Sequence, residues 1–265
     1  VEHLRERFHD PADDVLPERI TRPDPDLAPQ VSLSDLVAQG GPKLSSLRER
    51  LVIEAITGAG RGDLRVAELP PDGTNDEGLP ELADGWSWAR LADVAEVVGG
   101  VTKDSKKQGD PSLPEVPYLR VANVQRGALR LDTVTSIRVP HAKVEQLRLE
   151  PGDVLLNEGG DRDKLARGWV WEGQIDPCIH QNHVFRARVT DERVDPYFLS
   201  WTANTIGGRW AERNGKQSVN LASISLSMIR RMPVIVPPPG EAETAVAQLR
   251  EQLSSAALAE KQIWA

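Results

Sequence analysis

The sequence holds a single cysteine, Cys178, among 265 residues, so no internal disulfide framework can hold it together. No apolar run approaches the ~20 residues that a membrane-spanning helix needs. Val1 to Asp10 are charged and lack the apolar core of a secretory signal, so the expected setting is cytoplasmic, with no membrane partner. A basic excess is missing too. The net charge of −8 excludes a wholly basic, non-specific nucleic-acid binder. No internal repeat is found. With 39% hydrophobic and 27% charged residues, the chain has an ordinary globular composition and room for one large domain or two modest ones.

Catalytic motifs are also lacking. Gly58-Ala59-Gly60-Arg61-Gly62 lacks the Gly-Lys-Ser/Thr of a phosphate-cradling loop and follows a predicted helix, so it reads as a helix stop. An amino-methyltransferase needs a glycine-rich cofactor loop and an Asn/Asp-Pro-Pro-aromatic motif. No glycine loop follows Phe8, Phe185 or Phe198. Asp195-Pro196-Tyr197-Phe198 is one proline short and suits a helix start with Pro196 in first position. Cys178, His180 and His183 fall short of a four-ligand zinc site, and hydrogen-bonding histidines are the expectation. Asp153, Glu158, Asp161 and Asp163 alternate with Arg162, Lys164 and Arg167, which suits a solvated or DNA-facing loop rather than a magnesium site. The chain reads as a binder with no cofactor of its own.

What is present is uneven. Residues 1–84 hold 9 Lys and Arg against 18 Asp and Glu, residues 85–235 hold 21 against 18, and residues 236–265 hold 2 against 4. The middle can meet a polyanion; the ends suit water or protein. Residues 1–42 read as a Pro/Asp-rich leader. A helix is predicted from Lys43 to Thr57, with Leu44, Leu47 and Leu51 on one stripe, and residues 62–85 read as a linker, so 43–84 forms a spacer-type segment. From Trp86 short strands are expected at Trp86–Leu91, Tyr118–Val124, Val154–Asn157, Gly168–Trp171, His183–Val189 and Pro233–Val236. Helices are expected over Pro196–Arg213 and Leu221–Arg231. A last helix begins near Glu241, where Val246, Leu249 and Leu253 step by three and four, either as a coiled-coil seam or as an amphipathic helix docked on its own domain. The expected fold is α+β: one domain over 85–240 with mixed and antiparallel strands, bracketed by helices at 43–57 and 241–265.

Several ordered motifs resemble one known family. Gly85-Trp86-Ser87-Trp88-Ala89-Arg90-Leu91-Ala92-Asp93-Val94 is similar to the opening of a target-recognition domain in the specificity subunits of type I restriction–modification systems. Tyr118-Leu119-Arg120-Val121-Ala122-Asn123-Val124-Gln125 resembles that domain's first signature. Pro151-Gly152-Asp153-Val154-Leu155-Leu156-Asn157-Glu158-Gly159-Gly160-Asp161, then Cys178 to Arg186, then Asn220-Leu221-Ala222-Ser223-Ile224 continue the series. Pro237-Pro238-Pro239 with Glu241 resembles the passage into a spacer helix. The likeness runs from about Leu47 to the end. One recognition domain is visible where the family usually carries two, Ala242 stands where glutamine is common, and residues 1–42 have no counterpart. A half-size subunit and a part of a longer protein both fit.

The resemblance implies a non-catalytic DNA reader. Its partners would be double-stranded DNA, a methyltransferase subunit carrying S-adenosylmethionine, a restriction subunit, and a second copy of the chain. Sequence is read by side chains able to make paired hydrogen bonds, Arg to guanine and Asn or Gln to adenine, while Lys and Arg on phosphates give register and salt-dependent affinity. The candidates implied are Arg120, Asn123, Gln125 and Arg126; Asn157, Arg162, Lys164 and Arg167, with Gly159 and Gly160 allowing close backbone approach; His180, Gln181 and Asn182; and Lys216, Gln217, Ser218 and Asn220. Each can instead be a plain surface polar residue, and Asn123 and Asn157 can be turn caps. Trp169 and Trp171 suit a core better than a base-stacking platform. Leu44, Leu47, Leu51, Val246, Leu249 and Leu253 are the oligomerisation candidates. Rival readings are a fragment of an adenine methyltransferase with its own cofactor site and a protein-interaction adaptor that does not bind DNA.

Overall fold

The computed structural model describes residues 64–65, 69, 71–218, 221–241 and 243–252. The leader at 1–42, the predicted helix at 43–57 with Leu44, Leu47 and Leu51, and also Asn220 and Leu253, lie outside the described residues. The rest is a mixed α/β domain, largely antiparallel.

Its centre is a four-stranded antiparallel sheet in the order Gly168–Val170, Val154–Asn157, Val184–Val189, Ala95–Gly99. Both faces are covered. Side chains alternate across a strand, and here Val154 and Leu156 join the main core with Phe185 and Ala187, while Leu155 and Val184 join a second core with Trp171 and Cys178. That two-sided burial explains the unbroken apolar run at Val154–Leu156. A helix lies across the first face from Pro196 to Asn214, with a π-helical turn at Ala203–Gly207. It starts as expected: Asp195 accepts hydrogen bonds from the Tyr197 and Phe198 amides, and Pro196 takes the first position.

Glu115–Leu119 lies between Ile179–His180, to which it is parallel, and Thr135–Arg138, to which it is antiparallel. The helix His141–Leu147 closes this layer with Val144 and Leu147. Ser87–Arg90 pairs antiparallel with Pro233–Val236, so the two ends of the domain are tied together. Three two-residue strands, Gly159–Gly160, Ala222–Ser223 and Lys216–Gln217, form a small sheet at one end.

Three expectations are corrected. The strand foreseen at Tyr118–Val124 ends at Leu119, because the Asn123 carboxamide accepts the Arg120 amide and closes a 3-10 turn at Val121–Asn123. The helix foreseen at Leu221–Arg231 covers only Leu226–Ile229, capped by Ser225, since Ala222–Ser223 is drawn into the small sheet. The linker is no free tether over 71–84. Asp76 accepts from Arg90 at 2.7 Å and from the Trp210 indole at 2.8 Å, Asn75 and Asn214 bond each other, and Leu82 is fully buried. Burial alone pushes the Asp76 carboxyl up, but the hydrogen bonds from Arg90 and Trp210 and the Arg90 charge outweigh it and hold it below the usual range.

The terminal helix, described over 243–252, decides between the two readings of its apolar stripe. Ala245, Val246 and Leu249 pack with Trp86, Phe198, Ile206 and Ile235 of the same chain, and Trp86 donates to Glu241 at 3.1 Å. Val246 and Leu249 are therefore spent on the chain's own domain rather than on a partner. Leu249→Ala should destabilise the fold by about 2–5 kcal/mol. The loss should be the same at every protein concentration; a loss that appears only where copies associate would place the stripe between copies.

Candidate nucleic-acid interface

The four candidate groups, distant in sequence, are held on one rim of the central sheet. Asn157 is the hub. Its buried carboxamide donates to the Val124 carbonyl at 2.8 Å and to Val121 at 3.5 Å, which seats the 120–126 segment on the strand end. The Gln181 amide donates to the Leu119 carbonyl, bringing 180–182 beside Arg120. The Glu158 amide donates to the His183 carbonyl, and the Ile224 amide donates to the Glu158 carbonyl. Gly159 pairs with Ser223, and Ser223 with Lys216, which sets 216–218 beside the glycine pair. Arg162 closes the ring on the Gln217 carboxamide at 3.0 Å and the Glu212 carbonyl.

Burial then divides the candidates. Asn123, Gln125, Asn157, Lys164, Arg167 and His180 are all buried, so they cannot enter a groove in this conformation. Their polarity is used inside. Asn123 donates to the Arg130 and Thr133 carbonyls, Gln125 to Ala122, and Lys164 pairs with Asp161 at 3.2 Å. Arg126 is half-buried and bound to the carbonyls of Asn204 and Asp163. Asp153 accepts from Arg188 at 2.8 Å and from the Glu150 amide, so that carboxylate is structural. Trp171 is fully buried, and Trp169 packs on Tyr197 and Trp201 with ring centroids 5.8 and 6.5 Å away.

Arg162, Lys216, Gln217 and Ser218 are exposed, while Arg120, Gln181 and Asn182 are half-buried. Arg120 differs from the other arginines of the group. Its buried Nε lacks a partner, as that of Arg167 does, but among the described residues no hydrogen bond or ion pair engages its terminal nitrogens either. Its terminal nitrogens, rather than the buried Nε, are therefore the donors left to meet an acceptor brought from outside. Gly159 lies so close to the Ala222 carbonyl, 3.1 Å from where a Cβ would sit, that its glycine serves strand pairing. One surface feature beside this rim carries no motif in the sequence: Val101 bridges to Gln181, and the lysine-bearing segment that follows it starts there.

Among the described residues no cluster of three or more His, Cys, Asp or Glu side chains is arranged to hold a metal. Burial pushes the Cys178 thiol up to about 12, which makes it neither nucleophile nor ligand. His183 is exposed and bonded to Glu158 at 2.7 Å. His180 donates from Nδ1 to the Val184 carbonyl at 2.6 Å, and burial pushes its pKa down to about 4, with the Arg186 and Arg188 charges adding to the shift. The unfolded chain takes up this proton near pH 6.5, the folded one only near 4. Between those values the unfolded state binds more protons, so stability falls as pH falls. His180→Gln should flatten that decline, measured as denaturant midpoints from pH 7 to 4; equal slopes in both proteins would contradict the burial argument.

No family model matches the chain. It is 20% identical over 167 residues to a putative type I restriction enzyme MjaX specificity subunit of Methanocaldococcus jannaschii, covering 60% of this chain and 37% of that protein. It is 20% identical over 200 residues to the type I restriction enzyme EcoEI specificity subunit of Escherichia coli, covering 73% of this chain and 33% of that protein. The chain thus spans about a third of the length of the curated relatives it matches. Its fold is shared with the HsdS subunit from Thermoanaerobacter tengcongensis at a TM-score of 0.52 and 15% identity, over 87% of this chain and 47% of that one. Among the described residues no helix is long and apolar enough to cross a membrane.

Proposed function

We propose that this chain is a sequence-reading module of a type I restriction–modification specificity subunit, recognising one half of a split DNA target. One observation carries the reading: four polar segments, scattered between residues 120 and 218, are pinned to one rim by buried carboxamides and short strands. Groove reading requires side chains held in fixed positions, and a rigid sheet end supplies them. Arg120, Gln181, Asn182 and Gln217 carry the hydrogen-bonding ends suited to base edges, with Lys216 beside them for phosphates. The module carries no catalysis. Methyltransferase subunits, which would bring S-adenosylmethionine, and a restriction subunit would act on the DNA it selects.

One such domain reads half a target. A second copy of the chain supplies the other half in our reading, so the site is an interrupted palindrome, and light scattering with and without the methyltransferase tests the pairing. Because Val246 and Leu249 are buried on their own domain, contacts between copies fall to the predicted stripe at Leu44, Leu47 and Leu51 and to Leu253. Mapping methylated bases in cells with and without the gene tests the function. Methylation should vanish at one split sequence; an unchanged pattern, or tight S-adenosylmethionine binding by the isolated chain, would overturn the reading in favour of its rivals.

A further inference from the structure

The segment over 102–113 leaves the reading rim directly, because Val101 pairs with Gln181 and its carbonyl accepts the Asn182 amide. It then reaches the far end of the edge strand Thr135–Arg138, where Gln108 bonds Arg138, and returns into the paired strand Glu115–Leu119, whose other end leads into Arg120. Five strand residues span about 17 Å, comparable with a major groove about 12 Å wide. The arm therefore reaches from where bases would be read to where a flanking phosphate backbone would lie.

The arm is built. Gln108 is locked to the sheet edge by paired bonds with Arg138, donating to its carbonyl at 3.1 Å and accepting its amide at 3.1 Å. Arg138 also donates to the Leu113 carbonyl. The two carboxylates of the arm are engaged locally. Asp104 accepts the Lys106 amide and pairs with Lys107 at 3.5 Å, and Asp110 accepts the Ser112 amide and hydroxyl. Lys103 and Lys106 are exposed and make no ion pair among the described residues. This contrasts with the basic group that the sequence brings forward, where Lys164 is buried on Asp161 and Arg162 is bonded to Gln217 and Glu212.

We propose that the 102–113 arm is a phosphate-binding element, with Lys103 and Lys106 contacting the DNA backbone beside the reading rim; this rests on the DNA-recognition reading above. Both lysines lack internal partners among the described residues, so K103A/K106A should fold with an unchanged thermal midpoint. Titrating the full chain with a mixed-sequence 30-base-pair duplex at rising salt tests the arm, since that binding is set by released counterions. The double variant should show a log–log slope shallower by about two, one unit for each phosphate that no longer meets a lysine. K103R/K106R should restore the slope, and the bases selected should not change. A K103A/K106A slope equal to that of the wild type would overturn the arm while leaving the rim as reader. Wild-type protein with no salt-dependent duplex binding at all would overturn the recognition reading itself, and the arm with it.

Discussion

Arg120→Ala is expected to weaken binding to the recognised sequence by about 1–3 kcal/mol, the worth of one bidentate arginine–guanine pair. That is about a 5- to 150-fold loss of affinity. Binding to mixed-sequence DNA should change far less, because a base contact carries sequence while phosphate contacts carry register. The fold should be spared, since the guanidinium makes no hydrogen bond or ion pair among the described residues, and its buried Nε is relieved by the substitution. The backbone beneath it stays fixed by the Asn123 cap. Fluorescence titrations with the target and with a duplex changed at one guanine check this. Equal losses on both duplexes would make Arg120 a phosphate contact.

Gly168→Ala should have the largest structural effect. A Cβ there would sit 1.6 Å from the Leu155 carbonyl oxygen, on the neighbouring strand of the central sheet. The carbonyl of Gly168 accepts from the Asn204 carboxamide at 2.7 Å and its amide donates back to that side chain at 2.9 Å. The same carbonyl accepts the Gly127 amide. Pushing this strand away thus loosens the long helix and the turn at Arg126–Gly127 together. Destabilisation should reach about 3 kcal/mol or more, the upper range for overpacking a core. The thermal midpoint should fall by roughly 6–12 °C for a domain of this size. Gly109→Ala is the control: nothing lies within 4 Å of its Cβ position and its φ is not positive, so its midpoint should stay put. A variant at 168 as stable as the control would contradict the packing described.

These two sites also mark what sequence can and cannot carry. The strands Val154–Asn157 and Pro233–Val236 were legible because apolar residues run unbroken between turn residues, and both are found over those residues. The start of the long helix was legible from Asp195 and Pro196. The end of the strand at Leu119 was legible only in part: Asn123 is the turn cap that its residue type allows, closing on the Arg120 amide, but its bonds to the Arg130 and Thr133 carbonyls leave no mark in the sequence. The candidate site divides in the same way. Its segments lie together on one rim, yet six of their polar residues serve the interior. Residue type gives hydrogen-bonding capacity without direction, and only the register of 154–157 against 184–189 turns Asn157 inward and leaves Arg120 at the rim. The arm at 102–113 was missed because its charges nearly cancel along the sequence, while in space the carboxylates are engaged locally and two lysines stand clear.

Selection from a pool of random duplexes by the purified full chain, followed by sequencing, tests the central claim most directly. The account predicts enrichment of one short motif, and loss of selection at a single guanine when Arg120 is replaced by Ala. Duplexes retained at low salt with no motif enriched, by wild type and variant alike, would contradict it.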